Sequence, residues 1–173
     1  VARRLEGEIL HLLAPARDSA ELRRRIPRAL ARADRFAERL REGDWPRTDL
    51  VITRRTTATA DDYAVFTETV SALYQSRAIG RPLAPGEKVR YVVLDRRSRS
   101  WRDRVRLAGT MPGDERYDVD AYLELLAREV ETLLAPFGVT RAGLLSRWGT
   151  RAAPQRDRYA SPSRPRQLRL ALG

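Results

Sequence analysis

There is no cysteine in the 173 residues, so disulfide bonds and thiolate metal sites are excluded. No apolar run approaches the roughly 20 residues of a membrane-spanning helix. The first residues are charged and helical in pattern rather than signal-like, so a cytoplasmic protein is expected. Only one histidine is present, His11, with no partner near it in sequence, which argues against metal binding or general-base chemistry centred there. Glycine-rich phosphate loops of P-loop or dinucleotide-binding spacing are also missing. Lysine is almost absent. Of 34 basic residues only Lys88 is not arginine, and against 23 acidic residues the net charge is +11. Genome composition explains arginine in place of lysine, but it does not explain the excess of cations. That excess calls for an anionic partner, with nucleic acid ahead of a membrane surface.

Apolar periodicity is helical over most of the chain. Leu5, Ile9, Leu12 and Leu13 predict an amphipathic helix that stops at Pro15. Ser19 is the expected N-cap of a second, whose stripe runs through Ile26, Ala33, Phe36 and Leu40 to a stop at Gly43. Pro27 is expected to kink or split it. Asp44-Trp45-Pro46 predicts a turn, Leu50 to Thr53 a short extended run, and Arg54 onward a polar loop with Thr56, Thr57 and Thr59. Hydroxyls beside guanidinium groups suit phosphate oxygens, although threonine is also ordinary loop chemistry. A helix from Thr67 to Ala78 follows. The stripe Leu123, Leu126, Ala127, Val130, Leu134 predicts another, and Thr140 to Trp148 a shorter one. Residue 1 is Val and the helical pattern is already under way there, as expected for a piece of a longer chain or a gene with an alternative start codon.

One run reads clearly as a β-strand: Lys88 to Leu94, behind the turn Pro85-Gly86. Alternation places Val89, Tyr91 and Val93 on one face and Lys88, Arg90, Val92 and Leu94 on the other. Beyond it lies a basic cluster of Arg96, Arg97, Arg99, Arg102, Arg104 and Arg106, with Val105 to Leu107 as a candidate partner strand. The expected class is therefore mainly α with a small β element.

The carboxylate pair Asp118 and Asp120 has the spacing that can hold two Mg²⁺ ions for nucleotidyl transfer. It also opens a strong helix, where Asp118 fits an N-cap and Asp120 faces the dipole, and this capping role is the expected one. Asp61 and Asp62 are expected at another helix start. Nothing in these residues points to catalysis by this chain itself.

In order, Leu50 to Arg55, Tyr63, Pro85 to Val93, Tyr117 to Tyr122 and Leu134 to Gly138 resemble the C-terminal thumb of family B DNA polymerases. The resemblance covers roughly residues 40–145. It implies connecting helices from the palm over 1–42 and a DNA-gripping thumb over 43–148. The thumb would hold primer-template duplex by its phosphates, through Arg54, Arg55, Thr57, Lys88, Arg90, Arg96, Arg97 and Arg99. The catalytic carboxylates and the Mg²⁺ they hold would lie in the palm of the parent enzyme, with no cofactor in this chain. From 149 to 166 the composition of Pro, Ser and Arg reads as a flexible basic linker. Gln167, Leu168, Leu170 and Leu172 then resemble the peptide by which bacterial polymerases bind the sliding clamp, which favours a polymerase II-like member acting at the nucleoid in replication and repair. The alternative is a stand-alone, non-catalytic basic adaptor for nucleic acid.

Overall fold

The first helix, α1 (Ala2–Leu13), buries Leu5 and Ile9, one turn apart on one face. The computed structural model describes residues 1–110 and 116–150. A short turn folds α2 (Ser19–Glu42) back against α1. Its cap is Asp18 rather than Ser19: the Asp18 carboxylate accepts the N–H of Glu21 at 2.7 Å, and the Glu21 carboxylate accepts that of Arg17 at 3.0 Å. A carboxylate cap adds charge complementarity to the exposed helix N–H groups, an advantage a serine hydroxyl lacks.

Pro27 does not split α2, which runs through it to the left-handed Gly43 (φ 77°). The proline lacks the N–H that would reach the carbonyl of Arg23, and Arg23 and Pro27 both lie on the exposed side where water can replace that bond. The buried stripe of Ala29, Ala33, Phe36, Ala37 and Leu40 then carries the helix as one element.

The main core forms where α1 and α2 meet α6 (Val119–Leu134), and α7 (Arg141–Arg147) closes on α6. Leu123, Leu126, Ala127, Val130 and Leu134 face inward from α6, and Leu144, Leu145 and Trp148 complete the packing. Asp34 of α2 holds the end of α7. It accepts the Trp148 indole N–H at 2.9 Å and two Arg147 bonds at 2.9 and 2.5 Å. Packed structure reaches Thr150, which is buried and accepts a bond from Arg41 at 3.4 Å. The helices expected at 67–78, 123–134 and 140–148 are present, each with its side-chain cap: Thr67, Asp118 and Thr140.

The β element is a three-stranded antiparallel sheet in the order β1 (Ile52–Arg55), β2 (Lys88–Val93), β3 (Val105–Leu107). Two departures from the sequence expectation concern its edges. Leu50 closes a short helix, α3 (Arg47–Leu50), so the extended run begins later, and Arg54 and Arg55 belong to the strand instead of a loop. The basic cluster after β2 likewise contains a one-turn helix, α5 (Trp101–Arg104), capped by Ser100. One face of the sheet packs on α4 (Glu68–Ala78), where the small residues Ser71 and Ala72 permit close approach. Asp61 and Asp62 lie in a turn and not at a helix start. Asp61 binds Tyr74 and Arg77 of α4 at 3.1 and 2.6 Å, and Asp62 closes on Thr59 at 2.5 Å.

Sheet and helices are joined by the run Tyr117 to Tyr122. The Tyr122 hydroxyl accepts the Val93 N–H at 3.1 Å and donates to the Leu50 carbonyl at 2.7 Å. Tyr117 donates to the carbonyl of Leu40 at 2.6 Å, and the two rings meet edge to face. No helix among the described residues is long and apolar enough to cross a membrane.

Candidate nucleic-acid interface

Register decides which cations share a surface. Thr53 stands opposite Arg90, and Arg55 opposite Lys88. Directly paired residues project to the same side of a sheet, so Arg55, Lys88 and Arg90 form one basic face with Thr53 beside them. Val92 and Arg106 continue that face toward β3. Arg55, Lys88 and Arg90 are all exposed, and among the described residues no ion pair or hydrogen bond engages their side chains.

Two like charges directly across a strand pair destabilise it, by about 0.2–1 kcal/mol. The sheet tolerates Arg55 against Lys88 with no carboxylate between them. An anion laid across the face removes that repulsion. Lys88 and Arg90, two residues apart, are separated by about 6.8 Å along the strand, roughly twice the 3.4 Å axial rise between phosphates of one DNA strand.

The turn ahead of β2 fixes this pair in place. Thr56 is buried, and its hydroxyl donates to the carbonyls of Ala84 and Glu87 at 2.7 and 3.1 Å. The Gly86 N–H returns a bond to the Thr56 carbonyl, and Gly86 adopts φ 94°, a conformation an L side chain would strain. Beside it Thr57 is tied to Tyr63: its N–H and its hydroxyl lie 3.0 and 3.1 Å from the Tyr63 hydroxyl. These bonds hold the Tyr63 phenol below its usual pKa.

Arg54 points to the other side. It is paired with Val89 on the face that packs on α4, and lies close to the hydroxyl of Tyr91. Burial pushes that phenol up, while Thr69, 3.2 Å away, and Arg54 oppose the shift. Arg54 and Arg55, neighbours in sequence, therefore cannot serve one flat ligand together.

The arginines after β2 divide by burial. Arg96 turns inward, its guanidinium 2.5 Å from Glu124 and 3.9 Å from Glu68, while its N–H donates to Asp118 at 2.8 Å. Arg104 is buried. Its guanidinium donates to the carbonyls of Ser98 and Phe66 and lies over the Phe66 ring at 4.5 Å. Both are fasteners of the loop. Arg97 and Arg99 are exposed, held by an Asp95 turn whose carboxylate accepts the N–H groups of Arg97 and Ser98. They sit past the far end of β2 from Lys88, some 17 Å or more along the strand direction, and would meet different phosphates from the sheet face.

Asp118 is committed to structure: its carboxylate accepts the Ala121 N–H at 2.9 Å as well as that of Arg96. Asp120 is exposed in the first turn of α6. The two carboxylates thus do different work. No group of three or more potential metal ligands occurs among the described residues. The pairing of Arg55 with Lys88 was not readable in advance, because cross-strand register depends on where β1 begins. Gln167, Leu168, Leu170 and Leu172 lie outside the described residues, as does the stretch from 151.

Among solved structures, this arrangement is similar to part of the family B DNA polymerase from the hyperthermophilic archaeon Pyrobaculum calidifontis. The TM-score is 0.60 at 20% identity, over 75% of this chain. The likeness is one of fold, to a part of that polymerase. The chain spans 17% of that polymerase's length. No protein-family model and no curated protein matches the sequence.

Proposed function

We propose that this chain is the thumb of a family B DNA polymerase, gripping primer-template duplex through its phosphates. The observation that supports this best is the basic sheet face: Arg55 opposite Lys88, with Arg90 beside them, all exposed and without intramolecular partners among the described residues. The likeness to part of a polymerase gives that face a context. A replicating enzyme needs grip without sequence preference, and phosphate contacts supply position and affinity while carrying no base information.

In this reading Arg55, Lys88 and Arg90 hold one stretch of backbone, and Arg97 and Arg99 another. Arg54 stands on the opposite face of the sheet, Thr57 holds the turn beside Lys88 through Tyr63, and Arg96 fastens the loop that carries Arg97 and Arg99. Residues 1–42 connect to the palm, where the catalytic carboxylates and two Mg²⁺ ions of the parent enzyme would do the nucleotidyl transfer. Gln167, Leu168, Leu170 and Leu172 would tether a bacterial, polymerase II-like enzyme to its sliding clamp, with the preceding basic segment setting the effective concentration. The test is binding to duplexes of unrelated sequence over a range of salt. Equal affinities and a steep salt slope are expected, and a marked preference for one sequence counts against the reading.

A further inference from the structure

A second basic surface lies away from the sheet, in a groove of about 730 Å³ between α1 and α2. Its floor is shallow, made of the exposed Gly7, His11 and Ala31 with the half-buried Leu12, and its rim is arginine. One carboxylate, Glu8, stands in it and is already taken, by Arg4 at 3.4 Å and by Arg32. Arg3, Arg28 and Arg35 line the rim, all exposed, and no ion pair within the described residues engages them. Arg28 and Arg35 are two turns apart on α2, about 10 Å along its axis.

Gly7 is the second observation. It sits mid-helix in α1, where glycine is a poorer helix former than alanine. A Cβ there would meet nothing within 4 Å, so no packing inside this chain requires its absence. A bare backbone at the floor of a groove suits close approach by another molecule.

We infer that this groove docks an acidic amphipathic helix of a partner protein, its apolar face on Gly7, Leu12 and Ala31 and its carboxylates against Arg3, Arg28 and Arg35. Helix-in-groove recognition needs an apolar floor, small residues for close approach and a rim of opposite charge, and all three are present. A single nucleic-acid strand fits less well, because sequence-independent strand binding stacks successive bases on several aromatic side chains and His11 is the single aromatic ring in the groove lining. The inference does not rest on the duplex-binding reading, which concerns the sheet.

The experiment measures fluorescence anisotropy of a labelled helical peptide of about five turns, with leucines at i, i+3, i+4 and i+7 flanked by glutamates. A peptide of the same composition with scrambled leucine positions, a single-stranded oligonucleotide and a DNA duplex are the other probes. Wild-type protein is expected to bind the patterned peptide at least tenfold more tightly than the scrambled one. Gly7→Leu, which fills the floor with a good helix former, should remove that preference while the melting temperature holds or rises and duplex binding is unchanged. Arg28→Glu with Arg35→Glu should weaken the peptide tenfold or more. Equal binding of the two peptides, or a Gly7→Leu variant that still prefers the patterned one, overturns the proposal. So does loss of oligonucleotide binding in Gly7→Leu without any patterned-peptide preference in the wild type, which would make the groove a strand-binding surface.

Discussion

The side-chain carbonyl of Gln75 accepts the backbone N–H of Leu107 at 3.3 Å, and the same amide donates to the Val105 carbonyl at 2.6 Å. One residue of α4 thus occupies the hydrogen-bonding edge of β3 that a fourth strand would otherwise take. Free edges invite pairing with other chains, and a buried amide blocks this one without lengthening the sheet. The amide also reaches the carbonyls of Trp101 and Arg102, so it fixes α5 as well. Gln75→Leu should keep the volume but strand these buried groups, lowering stability by about 2–3 kcal/mol. Chemical denaturation measures the loss, and light scattering should show new self-association.

Tyr122 ties the sheet to the helices with one hydroxyl that both accepts and donates. Tyr122→Phe should destabilise the fold by about 2 kcal/mol, because it leaves a buried N–H and a buried carbonyl unmatched. Burial raises the pKa of this phenol from 10.0, and that of Tyr91 in the same direction. An unfolded tyrosine loses its proton near pH 10 while the folded one keeps it. The contribution is therefore complete below pH 10 and is lost as pH rises beyond it toward the folded pKa. Thermal melts from pH 8 to 11 should show stability falling only above about pH 10, and less steeply in Tyr122→Phe.

Asp118 and Asp120 separate capping from catalysis. Asp118→Ala removes the α6 cap and the acceptor of the Arg96 N–H, and should lower stability by about 1–2 kcal/mol. Asp120→Ala loses only an exposed charge near the helix dipole, a few tenths of a kcal/mol. Duplex affinity should be unchanged in both, as checked by anisotropy under folded conditions. Loss of a metal-dependent activity in Asp120→Ala would restore a catalytic role to the pair.

Removing residues 167–173 should abolish binding to a bacterial sliding clamp and leave duplex affinity nearly intact. Surface plasmon resonance on immobilised clamp reads the first, and anisotropy the second. Clamp binding that survives the deletion would show that Gln167 and the leucines after it are not the tether.

Much of the fold was legible because helix signals are local. The stripe Leu123 to Leu134 between Asp118 and Gly138 specifies start, face and stop within itself, and α6 follows it. The strand read over Lys88 to Leu94 was equally plain and forms over Lys88–Val93, its burial alternating as far as Tyr91 and then giving way to the fully buried Val92. What was not legible is what depends on pairing across the chain. Arg104 and Arg97 are alike in sequence, yet one is buried against the carbonyls of Ser98 and Phe66 and the other is exposed. Arg96 likewise reads as a phosphate ligand until Glu124, 28 residues away, is brought to it. Arg54 and Arg55 separate for a simpler reason, since once both are in a strand they must face opposite ways.

The central claim is that the sheet face formed by Arg55, Lys88 and Arg90 grips duplex DNA. The most direct test is Lys88→Glu, with affinity for a primer-template duplex measured from low to moderate salt, alongside stability. The charge reversal pairs Glu with Arg55 across the strands, so stability should hold or rise by a few tenths of a kcal/mol. Affinity should fall equally for all sequences, and the slope of log K against log salt should shrink by about 0.9 for each lost phosphate contact. A variant that folds as well as the wild type and binds duplex with unchanged affinity and slope would contradict the account.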